Sequence, residues 1–174
     1  SGDFNAGTGA AGSAIFNAAA ATIKGIEADL FLRLDAFDFQ ANYSHIDGKY
    51  KEYKLNNPFG QVDCSGVRKT GIVELTCIPM EGISRNQFSV TGNYTVELAG
   101  DAGRIRLSAN YAYTGPRYVM PSSIPALEPG SRIDGYGLLN LSVGWQEVLG
   151  TSIDVKAFMT NATNKVYRVS NTNV

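Results

Sequence analysis

The chain has 174 residues, room for one ordinary domain, and its 15 basic and 16 acidic residues balance too closely to attract nucleic acid. Only 18% of the residues are charged, yet no apolar run nears the roughly 18 to 20 residues that a spanning helix requires, so a helical membrane protein is excluded. The start has none of the charged, apolar and small-residue order of a secretory signal, so a mature form or a fragment is expected.

The glycine-rich opening SGDFNAGTGAAG follows no strand and opens no clear helix, which makes a loop or tail a better fit than a phosphate-binding loop. Period-2 alternation then recurs six times, and that repetition points to strands with one oily and one wet side. In the first, Ile26, Ala28, Leu30, Leu32 and Leu34 oppose Gly25, Glu27, Asp29, Phe31 and Arg33. After a short turn at Asp35-Ala36, the second sets Phe37, Phe39, Ala41 and Tyr43 against Asp38, Gln40, Asn42 and Ser44. A long polar segment from Asp47 to Arg85 leads to the third, where Phe88, Val90, Gly92, Tyr94, Val96 and Leu98 alternate with polar residues from Gln87 to Glu97. Residues Ala99 to Gly103 turn the chain into the fourth, with Ile105, Leu107, Ala109, Tyr111 and Tyr113 opposite Arg104, Arg106, Ser108, Asn110 and Ala112. A second long segment, Gly115 to Asp134, precedes the fifth, where Leu139, Leu141, Val143 and Trp145 oppose Leu138, Asn140, Ser142 and Gly144. The turn Gln146 to Thr151 opens the sixth, with Ile153, Val155, Ala157 and Met159 opposite Asp154, Lys156, Phe158 and Thr160.

Connections that are short at one end and long at the other follow the plan of an outer-membrane barrel, in which turns are periplasmic and loops extracellular. On that plan the first, third and fifth strands descend. Every proline falls in a long segment, as expected of a residue that cannot donate to a sheet ladder. Phe88, Tyr111, Tyr113 and Tyr136 then lie near the outer ends and Phe37 and Trp145 near the periplasmic ends, like the aromatic girdles of barrels. Tyr94, in mid-strand, does not fit. The expected fold is all-β, with antiparallel up-and-down strands of a transmembrane β-barrel. About six strands make only a partial barrel, fewer than the smallest single-chain barrels contain. The competing fold is a soluble sandwich, a binding or adhesion module, in which Ile105, Leu107, Leu139, Leu141, Ile153 and Val155 would pack against a second layer.

The strings NAAAATIKGIEADL (17–30), ANYSHIDGKYKEY (41–53), LSANYAYTGPRYV, DGYGLLNLSVGW and VKAFMTNATNKVY, with Asn164, Lys165 and Tyr167 in the last, occur in an order and spacing that resemble the closing strands of TonB-dependent outer-membrane receptors. The resemblance covers roughly Asn17 to Arg168. It implies residues 1–18 as an extracellular loop or flexible segment, 19–168 as a C-terminal barrel segment, and 169–174 as a truncated extracellular loop before an absent last strand. It further implies a Gram-negative outer membrane, energised uptake of a scarce siderophore-like or carbohydrate-like ligand, and partners in outer-membrane lipid, the remaining barrel and the plug. The energy-transducing partner TonB would act only through an N-terminal region not seen here. A porin or adhesin of the same membrane is a further alternative.

Individual residues add less. Cys64 and Cys77 lie close together in a polar, Gly- and Pro-containing segment, which suits a disulfide in an oxidising compartment, with free thiols or metal ligands as alternatives. The single His45 has no partner that would make a metal site, and it reads as a girdle or loop residue. Asn42, Asn93, Asn140 and Asn161 begin Asn-x-Ser/Thr triplets, and three of these asparagines fall in mid-strand on the wet face, where hydrogen bonding fits better than glycosylation. Glu27, Asp29, Arg33, Glu97, Arg104, Arg106, Asp154 and Lys156 would face the lumen, with Arg104 and Arg106 pairing with acids such as Glu97 and an anionic ligand or an acidic patch of the plug as the alternative partner. The family resemblance places ligand contacts in the loops, which makes Tyr50, Tyr53, Arg117 and Tyr118 the candidates. No nucleophile beside a base, no phosphate loop and no cofactor motif stands out, so an enzyme is not expected.

Overall fold

The computed structural model describes residues 20–119 and 129–170. Ten strands appear in chain order: β1 (Ala20–Leu34), β2 (Phe37–Glu52), β3 (Lys54–Val62), β4 (Arg68–Glu74), β5 (Asn86–Glu97), β6 (Arg104–Thr114), β7 (Arg117–Tyr118), β8 (Arg132–Ile133), β9 (Tyr136–Gln146) and β10 (Val155–Met159). Two 3-10 turns, Pro129–Ser131 and Val148–Gly150, are the only helical pieces among the described residues. Residues 1–18, with their glycine-rich stretch, and residues 171–174 lie outside the described part.

Six strands form one sheet in the order β1-β2-β5-β6-β9-β10, and every neighbouring pair is antiparallel. The sheet is the expected up-and-down wall, and it is not closed: β1 and β10 stand at its two edges. Register carries each apolar position across the wall. Leu30 stands beside Ala41, then Val90, Tyr111 and Leu139, and the next row runs Leu32, Phe39, Gly92, Ala109, Leu141 and Met159. A slip of one residue anywhere would turn such a row to the other face. The two-residue turn between β1 and β2 fixes the first pairing, with Asp35 in the left-handed region (φ 45) that hairpin turns demand.

Among the described residues no second layer covers the apolar face. Ile26, Leu30, Leu34, Ile153 and Val155 are more than half exposed, and Leu107 and Leu141 are 46% and 41% exposed. Among the described residues the buried hydrophobic side chains lie elsewhere, in Val73, Leu75 and Ile78 with Tyr53 and Leu55 packed on them, and in Ile133. A sandwich would have shown the reverse, so the soluble two-layer fold does not describe these residues.

Three features differ from the sequence reading. β2 runs on to Glu52 because β1 extends back to Ala20 and pairs with it there, although alternation fades beyond Ser44. The segment 47–85 is not plain loop, since β3 and β4 form their own hairpin in it. Pro58 therefore falls inside a strand, at the irregularity between Asn57 and Gln61 where the ladder is interrupted, which is where a residue without an N–H fits. β10, at Val155–Met159, is shorter at both ends than the expected run from Ile153 to Thr160, and the chain then leaves the extended conformation at Asn161, with its positive φ of 49. Its backbone N–H instead donates to Asn140 Oδ1 at 3.0 Å.

The rings cluster at the strand ends. Phe88 stacks with Tyr113 at 5.2 Å and approaches Tyr111 at 5.9 Å, and Tyr136 stacks on Tyr167 at 4.2 Å. At the opposite end the Trp145 indole N–H donates to Ala102 O at 2.8 Å. Leu141 lies between these two levels. In a bilayer-embedded barrel, Leu141→Arg is expected to destabilise the fold by about 2–4 kcal/mol, while Ser142→Arg, on the other face, leaves it nearly unchanged. Urea titration of the protein refolded into vesicles reads the difference, and equal tolerance of both substitutions would refute the lipid-facing assignment.

Candidate functional site

The long connections join into one cap over the loop end of the sheet. Its foundation is the β3–β4 hairpin, whose turn is built around Asp63, a carboxylate only 5% exposed. Asp63 Oδ1 accepts from the Ser65 N–H at 2.9 Å, the Ser65 hydroxyl at 2.5 Å and the Val67 N–H at 3.2 Å, and Lys69 pairs with Oδ2. Cys64 and Cys77 are joined by a disulfide with Cα atoms 5.6 Å apart, so the chain leaving the hairpin starts from a fixed point.

From there residues 76–85 return across β2. Gly48 makes room for them: a Cβ at that position would lie 2.6 Å from Ile83 Cδ1 and 2.7 Å from Met80 Sδ. The buried Ser84 hydroxyl donates to Gly115 O at 2.9 Å, and the Gly82 N–H donates to Tyr118 O at 2.8 Å. Tyr118 also forms a parallel bridge with Glu81, and β7 pairs with β8. The two long connections therefore hold each other through backbone bonds.

Between them lies a cavity of about 570 Å³ whose lining includes Lys49, Met80, Arg85, Tyr118 and Arg132. Its cations are partly matched. Lys49 and Arg85 share Asp47 at 3.0 and 3.2 Å, and Arg132 meets Asp134 at 2.6 Å. Of the loop candidates only Tyr118 lines this cavity. Tyr50 and Tyr53 contact each other at 4.9 Å, and Tyr53 packs on the Val73, Leu75 and Ile78 core. Arg117 donates to Val169 O at 2.9 Å. The four do not converge. Lys49, Met80, Arg85 and Arg132 escaped the sequence reading because they come from separate segments with no shared spacing.

The polar face of the wall carries a second set of groups. Asn42 donates to Asp29 at 2.5 Å and accepts from the Ser89 hydroxyl at 3.2 Å. Asn110 donates to Thr91 at 2.9 Å and accepts from Asn140 at 3.3 Å. Nearer the short turns, Asp38 lies between Arg33 at 2.7 Å and Arg106 at 3.6 Å. Arg104 donates to Gln146 at 3.0 Å and to Glu147 at 3.4 Å. The ion pairs of both arginines are thus with Asp38 and Glu147 and not with Glu97: Arg106 reaches past its partner Thr95 to Asp38, and Arg104 turns away from Glu97 toward Gln146, its partner on β9, and the adjacent Glu147. Arg106, Asp154 and Lys156 line a common recess, and Glu27 and Asp29 line another toward the cap. On the opposite face Asn86 Oδ1 accepts from the Tyr43 hydroxyl at 2.9 Å and lies 2.8 Å from His45 Nδ1. Among the described residues no group of His, Cys, Asp and Glu is arranged to hold a metal ion.

A family model described as "TonB dependent receptor-like, beta-barrel" matches residues 1–164. No curated protein and no solved structure matches the chain.

The hydrogen bonds from Lys69 and then Ser65 hold the Asp63 carboxyl well below the ordinary carboxylate range. A carboxyl lowered on folding stabilises the turn fully above its unfolded pKa of about 4 and stops doing so only as pH falls through the lower folded value. Protection of the Ser65 and Val67 amides against hydrogen exchange should therefore stay level from neutrality to about pH 4 and drop below it. Asp63→Asn should lower that protection at neutral pH and flatten its acid dependence, and an unchanged profile would remove Asp63 from the account of the cap.

Proposed function

The chain belongs to the TonB-dependent receptor-like β-barrel family, and on that premise we propose that it forms part of the wall of an outer-membrane receptor importing a scarce siderophore-like or carbohydrate-like ligand. The family is one of transport receptors and not of enzymes. The observation that carries the reading is a six-stranded wall with an uncovered apolar face, a hydrogen-bonded polar face and a folded cap at one end only.

In this reading the apolar face meets lipid. Glu27, Asp29, Arg33, Glu97, Arg104, Arg106, Asp154 and Lys156 face the lumen and the plug. Other strands of the barrel complete the wall at the edges of β1 and β10, since an unpaired strand edge cannot stand in hydrocarbon. TonB acts on a part of the receptor that these strands do not include. The ligand first touches the cap, with Tyr118 and Arg132 in its cavity and Tyr50, Tyr53 and Arg117 as separate contacts elsewhere on it. An aromatic ring and a guanidinium group suit either the oxygen-rich surface of an iron chelate or the hydroxyls and ring faces of a sugar.

Cells bearing the receptor can be grown on ferric chelates as sole iron source and on oligosaccharides as sole carbon source, beside a strain lacking it. Receptor-dependent growth is expected on one member of the panel. Tyr118→Ala combined with Arg132→Ala should raise the half-saturating concentration of that ligand about tenfold, some 1.4 kcal/mol of binding, at unchanged receptor abundance. Uptake that continued after the inner membrane was de-energised would sink the energised reading.

A further inference from the structure

The apolar face of the wall is not evenly filled. Gly92 and Ala109 are register partners, and Phe39 and Leu141 flank them in the same row. Two minimal residues between larger ones leave a recess of about 410 Å³, walled by Phe37, Tyr94, Leu107 and Leu141. Phe37 leans over its floor, with ring carbons 3.6 Å from where a Cβ of Gly92 would sit. Tyr94 is 48% exposed, and its hydroxyl has no hydrogen-bond partner among the described residues. In hydrocarbon an unmatched hydroxyl is costly. This is also the aromatic that the girdle pattern leaves unexplained.

We propose that this recess holds one acyl chain of a glycerophospholipid from the leaflet beside the short turns, and that the Tyr94 hydroxyl donates to an ester carbonyl of the same lipid. The inference rests on the lipid-facing reading of the apolar face, with which the recess is continuous. The row of Tyr94 lies one step, roughly 7 Å along the strand, from the row of Ile105, Trp145 and Val155. Trp145, with its indole N–H satisfied by Ala102 O, marks the edge of the hydrocarbon. A phenol that close to the edge can reach the ester level while its ring borders the chain. A flexible acyl chain fills an irregular hollow without requiring a complementary protein surface.

Native mass spectrometry of the detergent-purified receptor, titrated with phosphatidylethanolamine, tests the assignment. The receptor should retain one phosphatidylethanolamine through delipidation. Ala109→Leu, which fills the recess from a lipid-exposed position, should weaken retention about tenfold, and Tyr94→Phe should weaken it severalfold. Unchanged retention in Ala109→Leu would overturn the proposal, as would displacement of the lipid by detergent alone or disulfide crosslinking of Ala109→Cys to a second protein copy. Failure of the underlying reading is distinguishable. If Leu141→Arg is as harmless as Ser142→Arg, the face does not meet lipid at all, whereas a costly Leu141→Arg with an unaffected Ala109→Leu removes the recess alone.

Discussion

A strand in hydrocarbon has no water with which to satisfy its peptide groups, so it must pair with its neighbours across the full thickness of the bilayer. In this chain the constraint takes the form of an unbroken antiparallel ladder from β1 to β10. Because side chains alternate along each strand, the ladder that satisfies the backbone also sorts the residues. Leu30, Ala41, Val90, Tyr111 and Leu139 come to one side, and Phe31, Gln40, Thr91, Asn110 and Asn140 to the other. The irregularities of the fold, the bulge at Pro58, the shift at Ala20 and the left-handed turn at Asn161, lie at or beyond the ends of this ladder.

Wall and cap are consequently held by different forces. Among the described residues the wall has almost no dry interior of its own, and its cohesion comes from backbone bonds and from side-chain bonds on the polar face. The cap buries Val73, Leu75, Ile78 and Ile133. So small a core is marginal by hydrophobic burial alone. The disulfide between Cys64 and Cys77 adds a covalent tie, which for a loop near 15 residues is worth about 3 kcal/mol in the chain-entropy account. Asp63 adds a third kind of bond by gathering donors from Ser65, Val67 and Lys69 around one carboxylate.

The same division explains what could be read in the sequence. Inside the bilayer one face must be apolar, so the six wall strands announced themselves by alternation, and their order and antiparallel sense followed from connection lengths. Above the bilayer both faces of a strand can be wet. The extension of β2 through Asp47, Lys49 and Lys51 and the hairpin of β3 with β4 therefore gave no periodic signal. The two cysteines were legible as a pair because they are near each other in the chain. The cavity was not, since Lys49, Met80, Arg85 and Arg132 meet only through tertiary packing of the cap. Charge on the polar face was legible by residue type but not by partner, as Arg106 passes over β5 to reach Asp38 on β2.

Cap and wall meet at strand ends, and those contacts decide how firmly the cavity is placed. Met80 and Ile83 sit against β2 at Gly48, Ile46 N–H donates to Arg85 O at 2.9 Å, and Gly115 N–H donates to Asn86 O at 2.9 Å. Each of these anchors lies on a strand, or one residue beyond one, that continues downward as part of the main ladder. Tyr118 and Arg132 are then joined to the same strands through the Gly82 to Tyr118 bond and the pairing of β7 with β8. Side chains drawn from loops are in this way positioned by rigid elements, which is what a binding site needs if its groups are to hold a fixed spacing. A substitution that frees residues 76–85 from Gly48 would loosen the cavity while leaving the ladder intact, because β2 pairs at Gly48 with Ile23 of β1 and not with residues 76–85.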